Sequence, residues 1–112
     1  MHRDLKSLNL LLTESVNGPT DFVQCKVTDF GLSRSKEELN TMSGITRGDA
    51  SQMTGMAGTF HWMAPEVMTS EAHYSQKADV YSYGIVMWEI MARDPPFKTS
   101  RPHEIISGVV NE

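Results

Sequence analysis

The stretch His2-Arg3-Asp4-Leu5-Lys6-Ser7-Leu8-Asn9 decides how the rest of the chain is read. It sets a carboxylate, an ammonium and a carboxamide within six residues, immediately ahead of the apolar run Leu10-Leu11-Leu12. Residues 9–13 read as a short buried strand. Residues 14–21, with Asn17-Gly18-Pro19, read as a turn. In Val23-Gln24-Cys25-Lys26-Val27-Thr28 apolar and polar residues alternate strictly, the period-2 signature of a half-buried strand. That alternation puts Cys25 with Val23 and Val27 on the core side, so it is read as core and not as a nucleophile. The two strands form a hairpin that delivers Asp29, followed by Phe30-Gly31, at its exit. Gly31 is expected to carry the sharp backbone turn there.

Downstream the character changes. Residues 33–58 are rich in Ser, Thr, Gly and charge and show no sustained periodicity, the mark of a functional or disordered loop. Pro65 suits the first turn of a short helix over 65–69. Ser75 is the expected N-cap of a longer helix, about 76–92. From Val80 onward, Tyr83, Met87, Trp88 and Met91 recur at helical spacing, while Ile85, Val86 and Ile90 fill the other faces. A helix apolar all round is expected to be buried on all sides. Pro95-Pro96 ends it. A last helix, about 102–112, begins at Pro102 and is expected to bury Ile105, Ile106, Val109 and Val110. The fold class is α+β, mainly α, with one β-hairpin and a long loop.

Composition narrows the function classes. With 112 residues, 39% hydrophobic and 21% charged, the chain is an ordinary globular sequence. A net charge of −4 leaves no nucleic-acid footprint. The apolar stretch near 83–92 is too short and too interrupted to span a bilayer, so no membrane segment is expected. No apolar run follows Met1, so no signal peptide is expected either. A lone Cys25 excludes an internal disulfide and fits a reducing compartment, with the cytoplasm the expected location. His61, His73 and His103 show no metal-ligand spacing, and Arg93 and Asp94 read as helix-end surface charges.

The strings His2-Arg3-Asp4-Leu5-Lys6-Ser7-Leu8-Asn9, Asp29-Phe30-Gly31 and Ala64-Pro65-Glu66 fall in one order. Gly58-Thr59-x-x-Trp62-Met63-Ala64-Pro65-Glu66 and Asp79-Val80-Tyr81-Ser82-Tyr83-Gly84 accompany them. Together they resemble the C-terminal-lobe segment of a eukaryotic protein kinase catalytic domain, over essentially all 112 residues. Lys6 marks the serine/threonine type. The Trp62 to Val67 and Val80 to Glu89 stretches resemble the tyrosine-kinase-like group. The resemblance implies a catalytic loop over 2–9, an activation segment over 29–66, and transfer of the ATP γ-phosphoryl group to a protein Ser or Thr hydroxyl.

Such transfer asks for a carboxylate to orient and accept the proton of the hydroxyl, hard oxygen ligands for Mg2+, and positive charge near the transferred group. The resemblance assigns Asp4 as the base, Lys6 as the cation reaching the γ-phosphoryl, and Asn9 and Asp29 as the metal ligands. Leu11 would pack beneath the adenine, and Thr59 would bond Asp4 and Lys6. His2 and Phe30 are implied members of the spine that aligns the lobes. Asp79 would hold the catalytic-loop backbone. Glu66 is implied to be structural, paired with an arginine of a later helix. Arg3 resembles the arginine that reads activation-loop phosphate. Seven hydroxyls lie in residues 33–58, and Ser51 and Thr54 are favoured as regulatory sites because they sit nearest the Gly58 end. An upstream activating kinase is the implied partner besides the protein substrate.

Two departures are visible. Residues 14–22 lengthen the hairpin turn, leaving 20 positions from Asn9 to Asp29, and the activation segment is long. The resemblance also implies that the Gly-rich loop and the ATP-anchoring lysine lie in sequence upstream of Met1. The isolated chain is therefore expected to be neither stably folded nor active. Two alternatives stay open: a non-catalytic kinase-like fragment that binds a regulator or substrate through its C-terminal end, and an incomplete gene model.

Overall fold

The hairpin forms where the alternation places it. In the computed structural model, which describes residues 1–31, 60–69 and 75–111, β1 (Leu10–Leu12) pairs antiparallel with β2 (Cys25–Val27). The register sets Leu10 against Val27, Leu11 against Lys26 and Leu12 against Cys25. Flanking bonds extend the ribbon: Thr28 N–H donates to the Asn9 carbonyl at 2.9 Å, and Thr13 N–H to that of Gln24 at 3.0 Å. The turn is tied by Asp21, whose carboxylate accepts from the backbone N–H groups of Asn17 and Gly18 at 2.8 and 3.0 Å. An aspartate bonding backbone amides nearby in the chain is a turn-forming device.

The expected burial of these strands does not hold. Leu11, Leu12, Cys25 and Val27 are exposed. Alternation assigns residues to opposite faces of a ribbon, but it does not supply an element to cover either face.

Among the described residues three α-helices follow. The short α1 (Pro65–Met68) starts on proline, whose fixed φ suits a first helical turn. The long α2 (Lys77–Ala92) begins with a bond from Lys77 N–H to the Ser75 hydroxyl at 3.2 Å, although Gln76 holds the N-cap position itself. It ends at Arg93, whose φ of 53° is left-handed, a short way before Pro95-Pro96. In α3 (Pro102–Asn111) the Glu104 carboxylate accepts from Arg101 N–H at 2.6 Å, which satisfies one orphan donor at the helix start.

The core lies between α3 and the stretch ending in α1. Ile105, 2% exposed, packs with Met63 and Met68, and Phe60, Val67, Ile106 and Val109 close around them. Val110 is exposed, contrary to the reading of its sequence, because it lies off the stripe of 105, 106 and 109. The α2 helix also departs from expectation. It buries one stripe, Ala78, Ser82 and Val86, at four-residue spacing. Val80, Tyr83, Met87, Trp88, Ile90 and Met91 are exposed. Apolar residues on every side create the capacity for burial all round, and the described residues cover one side of it.

Candidate active site

The loop before β1 is held from below by the first turn of α2. The Asp79 carboxylate accepts from His2 N–H at 2.7 Å and from Arg3 N–H at 2.9 Å, one oxygen to each donor. These bonds fix an unusual backbone: Arg3 has a φ of 74°, a region that side-chain-bearing residues rarely occupy. A carboxylate in the first turn of a helix is itself stabilised by the exposed N–H groups there.

Asp4 follows and is buried at 8% exposure. Its backbone N–H donates to His2 Nδ1 at 3.3 Å. Nδ1 is thus the acceptor, so Nε2 carries the proton and donates to the Thr28 carbonyl at 2.9 Å. The His2 ring also meets Phe30 edge-on, with centroids 5.0 Å apart. One histidine therefore joins the loop to the hairpin exit.

The two carboxylate oxygens of Asp4 have different surroundings. Oδ2 accepts from Lys6 Nζ at 2.8 Å and from Asn9 Nδ2 at 3.2 Å. Asn9 Nδ2 donates also to the Asp4 carbonyl at 2.8 Å. Oδ1 is buried and accepts no hydrogen bond among the described residues. A buried acceptor without a donor is costly, about 1–3 kcal/mol. The two oxygens thus differ: Oδ2 is locked in place by Lys6 and Asn9, and Oδ1 has no partner among the described residues.

Asn9 is buried, and its Nδ2 is engaged by the Asp4 carbonyl and carboxylate, while its Oδ1 accepts no hydrogen bond among the described residues. The Thr28 to Asn9 backbone bond sets these residues side by side, so Asp29 emerges next to Asn9. Asp29 is exposed and has a φ of 63°. The left-handed turn thus lies at Asp29 itself. Gly31, expected to carry it, has no positive φ; no described glycine does. A Cβ at Gly31 would sit 3.4 Å from Asp29 Oδ1, at the edge of ordinary van der Waals contact. Among the described residues no three His, Cys, Asp or Glu side chains converge on a metal position. That is compatible with Mg2+, which commonly takes one or two protein oxygens and fills its shell with water and phosphate.

The other expected residues are scattered. Leu11 is on the exposed ribbon. Glu66 is half-buried in α1, and its charge, after burial, is the second cause that raises the Tyr81 phenol above its ordinary range. Thr59, Ser51 and Thr54 lie outside the described residues. Asp94 pairs with Lys98 at 2.9 Å on the exposed surface. Sequence reasoning missed Glu89. It accepts from the Ser7 hydroxyl and from the Trp62 indole N–H, both at 3.0 Å. Its only prior signal was its place in the stretch that ends at Trp88-Glu89.

Comparison with known proteins shows the family. The protein kinase domain family matches residues 1–112. The chain is 38% identical over 112 residues to serine/threonine-protein kinase STY46 of Arabidopsis thaliana, covering 100% of this chain and 16% of that protein. It is 40% identical over 108 residues to dual specificity protein kinase splA of Dictyostelium discoideum, covering 91% of this chain and 4% of that protein. It is 38% identical over 112 residues to a mitogen-activated protein kinase kinase kinase of Drosophila melanogaster, covering 97% and 8%. The chain thus spans a small part of the length of each relative. No helix among the described residues is long and apolar enough to cross a membrane. By its whole-length family match and by these relatives, the chain belongs to the protein kinase domain family.

Proposed function

We propose that this chain carries the catalytic-loop half of a serine/threonine protein kinase domain of the tyrosine-kinase-like group, which moves the γ-phosphoryl group of ATP to a Ser or Thr hydroxyl of a protein. The observation that carries the reading is the divided carboxylate of Asp4, with Oδ2 held by Lys6 and Asn9 and Oδ1 buried with no donor among the described residues. Asp4 orients the acceptor hydroxyl and takes its proton. Lys6 balances the charge of Asp4 in the resting site and lies within reach of the transferred group. Asn9, through Oδ1, and Asp29, through its carboxylate, would hold Mg2+. Bound there, Mg2+ neutralises phosphate charge and fixes the phosphates for in-line attack.

Asp79, His2 and Phe30 position this set. Leu11 contributes to the adenine floor, and Thr59 would have the role of bonding Asp4 and Lys6 that the family resemblance gives it. Arg3 reads a phosphate placed on Ser51 or Thr54 by an upstream kinase. Glu66 anchors the end of the activation segment. The exposed, unpaired thiol of Cys25 suits a reducing compartment such as the cytoplasm.

The test is phosphoamino-acid analysis of a generic basic protein incubated with labelled ATP and the protein expressed from the full reading frame containing residues 1–112. Label on Ser and Thr that depends on Mg2+ supports the reading. Label confined to Tyr overturns the acceptor class, and Mg2+-independent label overturns the metal roles of Asn9 and Asp29.

A further inference from the structure

Glu89 lies on α2 ten positions after Asp79, about 15 Å along the helix at 1.5 Å per residue. Asp79 grips the loop at His2 and Arg3, and Glu89 grips it at Ser7. The two grips fall on either side of Asp4. Glu89 does more than hold the loop. Its Oε1 accepts from Ser7 Oγ and its Oε2 from Trp62 Nε1, so one carboxylate is shared between two stretches far apart in sequence. Trp62 is buried, and a buried indole N–H needs an acceptor. Trp62 also lies beside Met63, which belongs to the core that α3 closes.

We propose that Glu89 is a positioning residue for phosphoryl transfer, whose carboxylate couples the loop carrying Asp4 to residues 60–66. This rests on the reading of Asp4 as the base. The chemistry demands a carboxylate. A carboxamide offers one acceptor oxygen and turns an N–H2 group toward the second donor. An aspartate is one methylene too short to reach both. When residues 60–66 shift, the shift passes through Trp62 and Glu89 to Ser7, and so to the loop on which Asp4 stands.

The experiment compares wild type, Ser7→Ala, Trp62→Phe, Glu89→Ala, Glu89→Gln and the double variant Ser7→Ala/Glu89→Ala, all in the full reading frame. It reads kcat, KM for ATP and the Trp62 indole N–H resonance, distinguished from that of Trp88 with Trp88→Phe. The expected result is a fall in kcat of about 10- to 100-fold for Glu89→Ala with KM for ATP little changed, the size of effect a small misplacement produces. Glu89→Gln recovers part of it by keeping one acceptor. Ser7→Ala adds no further loss in the Glu89→Ala background, and the Trp62 resonance moves in both Glu89 variants. Losses from Ser7→Ala and Glu89→Ala that multiply, or a Trp62 resonance unmoved by Glu89→Gln, overturn the coupling. Absence of any transfer that Asp4→Asn abolishes overturns the proposed reaction instead, while the indole resonance still decides the bridge.

Discussion

Replacing Asp79 by alanine removes the two bonds that hold the backbone of His2 and Arg3, at 2.7 and 2.9 Å. A hydrogen bond to a charged group contributes about 1.5–3 kcal/mol. The site is only part-buried, so freed amides regain some water, and the lower end applies: about 3 kcal/mol for the pair. The left-handed φ of Arg3 adds to the instability, since a strained residue persists only while its surroundings over-determine it. At 1.4 kcal/mol per factor of ten, this corresponds to amide exchange at His2 and Arg3 that is about 100-fold faster. Asp79→Asn keeps one acceptor oxygen and is expected to give about a tenfold acceleration, half the effect on a logarithmic scale. Hydrogen exchange resolved to these amides is the assay, because it reports local opening whatever the stability of the rest. Amides of His2 and Arg3 that exchange at unprotected rates already in the wild type, or rates that Asp79→Ala leaves unchanged, would refute the reasoning.

Other expectations concern the core, a helix end and an ionisable side chain. Ile105→Ala removes the most buried member of the Met63–Met68 cluster and is expected to destabilise by about 2–5 kcal/mol, read by chemical denaturation. Arg93→Gly relieves a left-handed backbone that costs an L-residue ~1 kcal/mol and gives part of it back as unfolded-chain entropy, so the same assay should show a gain of about 0.5 kcal/mol. The Tyr81 phenol is pushed up first by burial and then by Glu66, so the folded chain holds that proton more tightly than the unfolded one. Its contribution to stability is complete below the ordinary phenol value of about 10 and is lost as pH rises from there through the raised folded value. Tyr81→Phe should flatten that alkaline loss in a pH series of unfolding midpoints, and an unaltered slope would contradict the assignment.

The sequence was informative where short-range chemistry decides the outcome. Alternation in residues 23–28 located β2, and the proline at 65 and the proline pair at 95–96 marked a helix start and a helix stop. The run His2 to Asn9 indicated which polar groups converge, and in the structure Asp4, Lys6 and Asn9 do meet. Burial was not legible in the same way. Cys25 alternates like a core residue and is exposed, and α2 is apolar on every side yet covered on one. Which face is covered depends on other elements, and local pattern carries no record of them. Backbone strain was misplaced for a related reason. Glycine is the residue that takes a left-handed φ most easily, so Gly31 was the natural candidate, but Asp29 takes it. Glu89 was invisible because its partners, Ser7 and Trp62, lie 82 and 27 positions away.

The central claim is that the Asp4 carboxylate, whose Oδ1 accepts no hydrogen bond among the described residues, receives the acceptor hydroxyl. The most direct test is the rate of γ-phosphoryl transfer by the wild type and by Asp4→Asn at saturating Mg-ATP, in the protein expressed from the full reading frame. Asparagine keeps the volume and an oxygen for Lys6 but cannot take a proton. The account predicts a fall of about 10²- to 10⁴-fold in the transfer rate with nucleotide binding retained, the range for loss of a positioned general base. Transfer by Asp4→Asn at the wild-type rate would contradict it.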